Sequence, residues 1–248
     1  MHTEVIILAQ GSQKRLGMAH GYKQLLPLPA CGGMPILTRT LHQLQHNMPI
    51  ITLVASNELM NGIPGGFGFG SISRVDTHVS LENPGNSSLK GIARYLELRG
   101  PNHSALRTVV LLGDVVYSWH CLHEIFALSR TYGFVGTSDL SAGGGELWGV
   151  AWTRDFEDTM LSDLGDALLR HPPFDDEYQP GQMRRWISGM KRGAIETHVF
   201  NMRRTGHYVA VDDYTRDIDL PAHLALLPKL SESAAADDHV NNAPWSIR

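Results

Sequence analysis

The residues with the clearest chemical potential are Gly11, Ser12, Gln13, Arg15 and Lys23. They follow an apolar run in VIILAQGSQKRLG, residues 5–17, and Lys23 comes soon after in GYKQLLPL. A buried strand that ends in a glycine-containing loop exposes several backbone N–H groups, and such concave sites favour anions. Gly11 lets the backbone approach a ligand closely. Arg15 adds a planar donor fork suited to phosphate oxygens, and Lys23 adds a second cation. The chemistry these residue types suit is the binding of a triphosphate. The Walker pattern GxxxxGK[ST] is absent, so the loop is not a P-loop.

Asp114 is the second candidate. In VVLLGDVVY a buried strand delivers it to the strand's C-terminal edge, where open α/β sheets bind ligands. A carboxylate there suits Mg²⁺, which is held by one or two carboxylates plus substrate phosphates. The alternative is a helix cap.

The elements that must position these residues follow from periodicity. Residues 4–9, EVIILA, form an apolar run of strand length, as expected for a strand buried on both faces. MPILTRTLHQLQ has helical spacing, with Pro35 at its start. PIITLVAS is a strand, and NSSLKGIARYLELRG a helix ending at Gly100. Residues 108–112 are the strongest strand, WHCLHEIFALSRTYG reads as a helix, and FVGTSD as a strand. GGGELWGVAWTRDF reads as a turn and strand, THVFNM and YVAVDD as short strands, and LPAHLALLPKL as a helix. The alternation predicts an α/β fold: a three-layer, Rossmann-like, mainly parallel (mixed) sheet with helices on both faces. The glycine-rich NGIPGGFGFGS follows no clean strand and opens no helix, so it reads as a surface loop. Residues 1–230 are expected to form one domain, with an irregular acceptor-binding region at 140–206 and a polar tail at 231–248.

The motifs resemble those of nucleotidyltransferases of the nucleotide-diphospho-sugar transferase fold. That group includes sugar-phosphate nucleotidylyltransferases, cytidylyltransferases and molybdenum-cofactor guanylyltransferase-like enzymes. The family pattern LAxGxGxRhG…PKxLhPhxGxPhL is matched at Leu8, Ala9, Gly11, Arg15, Gly17, Lys23, Leu25, Pro35 and Leu37. Gln13 stands where a second glycine is usual, Tyr22 where a proline is usual, and ACGGMP carries extra residues. The resemblance implies a Mg²⁺-dependent transfer of a nucleoside monophosphate from an NTP to a phosphorylated acceptor, a sugar phosphate or phospho-alcohol, with pyrophosphate released. It implies that Leu8, Ala9, Gly11, Ser12, Gln13 and Ser88 hold the nucleotide, that Arg15 and Lys23 bind its phosphates, and that Asp114 is a metal ligand. DIDLPAHL resembles the family's DIDTPEDL-type motif, which makes Asp219 the second ligand, with Asp217 as its neighbour and backup. Ser88 and Asp219 also read as helix caps. Lys191 and Arg192 read as a solvated charge pair or as acceptor-phosphate ligands.

Composition limits the alternatives. Net charge is −4, which argues against a nucleic-acid partner but not against a small anion. Hydrophobic residues make up 42% and charged residues 19%, enough apolar material for a core. Two cysteines without CxxC spacing give no zinc or disulfide framework, and no apolar run reaches membrane-spanning length, so a cytoplasmic protein is expected. His42 and His46, and His120 and His123, lack the companions of a metal motif. A glycosyltransferase using a nucleotide sugar is a second reading, weakened because GDVV lacks a DxD pair. A nucleotide-binding regulator without turnover is a third, motivated by Gln13 and Tyr22. The irregular region and the tail are the segments that could serve a homodimer.

Overall fold

The computed structural model describes residues 3–9, 22–45, 50–55, 57–63, 72–76, 92, 95, 96, 98–100, 104–138, 146–162, 202–218 and 221–241. In chain order the strands are β1 (Thr3–Ala9), β2 (Pro27–Leu28), β3 (Met34–Pro35), β4 (Ile50–Ala55), β5 (Ile72–Asp76), β6 (Arg107–Leu112), β7 (Val115–Val116), β8 (Tyr132–Gly136), β9 (Leu147–Thr153), β10 (Tyr208–Ala210) and β11 (Arg216–Asp217). The helices are α1 (Ile36–Gln45), α2 (Asn57–Gly62), α3 (Trp119–Ala127) and α4 (Pro221–Asn241).

The seven-stranded sheet runs β10-β8-β9-β6-β1-β4-β5. Its pairs are parallel except where β9 runs antiparallel between β6 and β8. The alternation along β1 explains the layers. Val5, Ile7 and Ala9 face Leu37, Leu41 and Leu44 of α1 and Leu122 and Ile125 of α3. Ile6 and Leu8 face Ile92, Tyr95, Leu96, Met160 and Met202 on the other side. Where the strand is covered on both faces by apolar residues it is apolar on both sides, which is why residues 5–9 read as a continuous run. The mainly parallel sheet with helical cover on both faces agrees with the sequence reading. Among the described residues no helix is long and apolar enough to cross a membrane.

Strand order reverses between β1 and β6: β4 and β5 lie to one side, β9, β8 and β10 to the other. The crevice at the C-terminal ends of β1 and β6 is therefore the switch point where such sheets bind ligands. The opposite end is closed by a buried polar knot. Glu4 accepts hydrogen bonds from Tyr95 and, at 2.6 Å, from Arg99, whose other nitrogen pairs with Glu157 at 2.5 Å.

Three expectations are corrected. The helix expected through WHCLHEIFALSRTYG stops at Ala127, and Tyr132 and Gly133 belong to β8. The Leu128 side chain packs close over Gly133, 3.0 Å from where a Cβ would lie. Met202, expected in a strand, sits in a helical turn. The polar tail does not begin at 231, since α4 continues to Asn241 with Ser231 and Ala234 buried. Its hold is polar. Asp238 receives Arg39 Nε at 2.8 Å and Nη2 at 2.6 Å, and Asp237 receives the Trp119 N–H at 2.8 Å. The extra residues of ACGGMP form a turn between β2 and β3. It requires left-handed backbone at Gly32 (φ 68°) and Gly33 (φ 77°). Ser231 of α4 accepts the Ala30 N–H at 2.7 Å and so covers this turn.

Candidate active site

Lys23 opens a short 3-10 turn, Lys23–Leu25, which leads toward β2 and α1. Its side chain is only 8% exposed, and its Nζ makes an ion pair with Asp114 Oδ2, 16% exposed. Two residues 91 positions apart, each singled out by its own motif, therefore meet at the switch point.

Asp114 is delivered by a tightly held turn. Leu8 and Leu112 are paired in the β1–β6 register, and the Gly113 N–H donates to the Leu8 carbonyl at 2.8 Å. Gly113 must be glycine: a Cβ there would lie 2.8 Å from Ala9 Cβ and 3.1 Å from Ala9 Cα. Beyond Asp114 the chain enters β7, which pairs antiparallel with β11, setting Asp217 opposite Val115. Tyr117 then folds back. Its hydroxyl accepts the Leu112 N–H at 2.9 Å and donates to the Trp148 carbonyl at 2.7 Å. Burial pushes that hydroxyl well above its usual pKa. The Leu112 N–H opposes this, while Cys121, Asp114 and Asp217 add to it. The hydroxyl therefore stays protonated, as its bond to Trp148 requires.

A second carboxylate group borders this turn. Ser118 caps α3 by accepting the Cys121 N–H at 2.8 Å, and its hydroxyl donates to Asp213. Asp213 also accepts the Thr215 N–H at 2.7 Å, and Thr215 Oγ1 accepts the Ser118 N–H at 3.0 Å. This links the strand carrying Asp217 to the start of α3. The serine just before WHCLHE is the local signal that could have marked Ser118 as the cap, but its partners Asp213 and Thr215 lie almost 100 positions away and leave no local trace. Near the C-terminal end of β10, Asp212 accepts the Ser138 N–H at 2.7 Å. The Ser138 hydroxyl, then this N–H and the nearby Arg203, hold the carboxyl below its usual range.

The expected site residues divide as follows. Lys23 and Asp114 are brought together, and Asp217 lies across the β7–β11 ladder from Val115. Leu8 and Ala9 end β1 with their side chains in the two cores, and the Leu8 carbonyl is engaged by Gly113. Gly11, Ser12, Gln13, Arg15, Ser88, Lys191, Arg192 and Asp219 lie outside the described residues. Among the described residues no group of three or more His, Cys, Asp or Glu side chains is placed to hold a metal ion.

Solved structures share this architecture. One is a Bacillus anthracis protein named as a glucose-1-phosphate thymidylyltransferase: 15% identity, 92% of this chain and 95% of that chain, TM-score 0.57. Another is the 4-diphosphocytidyl-2C-methyl-D-erythritol synthase of Anaerococcus prevotii: 12% identity, 93% and 96% covered, TM-score 0.57. A third is the inositol-1-phosphate CTP transferase of T. maritima: 14% identity, 93% and 95% covered, TM-score 0.55. No family model and no curated protein matches the sequence. At these identities the likeness is one of fold, and the fold is the nucleotidyltransferase fold that the motifs resemble.

Proposed function

We propose that this chain is an NTP-dependent nucleotidyltransferase that moves a nucleoside monophosphate onto a phosphorylated acceptor and releases pyrophosphate. The observation that carries the reading is the buried Lys23–Asp114 pair at the sheet's switch point. All three structures compared above are named for activities of this kind.

In the proposed reaction an oxygen of the acceptor phosphate bonds to the α-phosphorus of the NTP. The bond from that phosphorus to the bridging oxygen breaks, and its electron pair leaves with pyrophosphate. An acceptor that is already an anion needs no general base, so the protein's work is positioning and charge neutralisation. Lys23 has three N–H donors and can hold Asp114 with one while giving another to an α-phosphate oxygen. Arg15 binds the β- and γ-phosphates, and the backbone N–H groups of Gly11, Ser12 and Gln13 cradle them. Ser88 contacts the nucleoside.

Mg²⁺ fits the donors that are present. Asp114 already faces a cation, the Lys23 ammonium, and among the described residues no three or more His, Cys, Asp or Glu side chains are grouped to hold an ion alone. That suits a metal that takes its remaining ligands from phosphates and water. Asp114, with Asp219 or Asp217, would hold it, and it would neutralise charge on the α-phosphate.

A thermal-shift series with CTP, UTP, GTP, ATP and dTTP, each with and without Mg²⁺, tests the reading. Ligand at a hundredfold excess over its Kd stabilises by about 2.7 kcal/mol, a Tm rise of roughly 5–11 °C for a chain this size. One nucleotide should give a Mg²⁺-dependent rise that Asp114→Asn loses. No rise with any of the five would overturn the proposal.

A further inference from the structure

The β6–β9 ladder ends one pair early, and the reason is a side chain. Arg154 N–H donates to the Leu106 carbonyl at 3.0 Å, so every second pair from there is hydrogen-bonded. The register carries this through Thr108↔Trp152 and Val110↔Val150, and Leu112 with Trp148 is next. Pairing stops at Leu111↔Gly149. The Tyr117 hydroxyl stands between Leu112 N–H and the Trp148 carbonyl, bonded to both. One oxygen thus replaces the closing rung and holds the end of β6 off β9, while Gly113 fastens that same end to β1.

Tyr117 is itself pinned. It is fully buried, and its carbonyl accepts Arg39 Nη1 at 2.6 Å. The next residue's N–H is held by Thr215. Asp114 is therefore the middle of a short loop fixed at Leu112, Gly113 and Tyr117. Phenylalanine would fill the same volume in the core. The hydroxyl must be taken out of water, which is tolerated only because both of its bonds are made.

We propose that Tyr117 is a positioning residue: its hydroxyl, wedged between the ends of β6 and β9, sets the place of the Asp114 carboxylate and thereby of its partner Lys23. The inference rests on the nucleotidyl-transfer reading for its consequence in turnover, but its geometric content stands apart from it.

The test is Tyr117→Phe, in two arms. In a crystal structure of the variant, Leu112 N–H and the Trp148 carbonyl should bond directly, with Asp114 displaced from Lys23. An Asp114–Lys23 pair unmoved within coordinate error overturns the proposal, whether or not the protein proves to transfer nucleotides. In turnover, kcat should fall about 10- to 100-fold, as for an angstrom-scale misplacement, with the KM for NTP within about threefold. The Mg²⁺ concentration for half-maximal rate should rise about tenfold, as for loss of a group that orients a ligand. A kcat and Mg²⁺ dependence equal to wild type overturns it. Tyr95→Phe, which removes a buried hydroxyl at the far end of the sheet, should leave the Mg²⁺ dependence unchanged. If Tyr117→Phe does not fold, p-aminophenylalanine at 117 replaces it: its amine can both donate and accept, so wild-type Mg²⁺ dependence is expected, and a dependence shifted as far as loss of the group would give refutes the wedge.

Discussion

Asp238→Ala should destabilise the protein far more than its position near the C-terminus suggests. The cause is Arg39, whose side chain is 2% exposed. Asp238 takes its Nε and Nη2 in a two-point contact at 2.8 and 2.6 Å. The other acceptors are neutral: the Tyr117 carbonyl at 2.6 Å, Gln43 and Tyr214 at 3.3 Å, and the Ala234 carbonyl at 3.4 Å. Burial lowers the guanidinium's pKa, but hydrogen bonding to Asp238, together with charge interactions with Tyr214, Asp238 and Cys31, outweighs it and holds the value above normal. Removing one partner of a buried pair costs about 3–5 kcal/mol. Asp238 is 31% exposed, so water can partly replace it and the low end, about 3 kcal/mol, applies. For a chain of this length that is a Tm fall of roughly 6–12 °C. Urea unfolding followed by circular dichroism should show a lower midpoint with an unchanged slope. The double variant Arg39→Leu/Asp238→Leu should recover most of the loss, because no buried charge remains. A single-variant loss below about 1 kcal/mol, or a double variant no better than the single, would refute this account of α4.

Other consequences are more local. Asp114→Asn should lower turnover by at least about a hundredfold with folding retained, and Arg15→Ala should cost about 2–4 kcal/mol of transition-state stabilisation, both read from kcat/KM. Gly113→Ala forces a methyl against Ala9, so a loss of about 1–3 kcal/mol by denaturant titration is expected, along with reduced nucleotide affinity. Burial raises the pKa of Tyr95, Tyr117, Tyr214, Cys31 and Cys121 above ordinary values of 10.0 for tyrosine and 9.0 for cysteine. Above those pH values the unfolded chain binds fewer protons than the folded one. The stability these groups contribute is then fully present below about pH 9 and falls as pH rises beyond it, measurable as Tm against pH.

The sequence carried the sheet's central strands because β1 and β6 contain unbroken apolar runs, residues 5–9 and 109–112, a signal that needs no partner to be seen. It also carried Lys23 and Asp114, since each stands in a recognisable local pattern. The ion pair between them was not legible, because it depends on two strand ends being adjacent in space. Tyr117 was invisible for the same reason: its role is set by Leu112 and Trp148, and only the latter's register on β9 reveals it. The extent of α4 was missed because SESAAADDHV lacks an apolar stripe. Its anchoring is by small buried residues and by Asp237 and Asp238, whose partners Trp119 and Arg39 lie over 100 positions away. The end of α3 was overrun because FALSRTYG has no strong stop, and Leu128 packing over Gly133 decides it.

The most direct test of the central claim is pyrophosphate release. Each of the five NTPs would be mixed with Mg²⁺ and a panel of sugar phosphates and phospho-alcohols, with wild type and Asp114→Asn in parallel. One NTP–acceptor pair should give pyrophosphate and nucleotidylated acceptor in equal amounts, with the variant nearly silent. Release of a nucleoside diphosphate from a nucleotide sugar, or tight NTP binding without pyrophosphate from any pair, would contradict it.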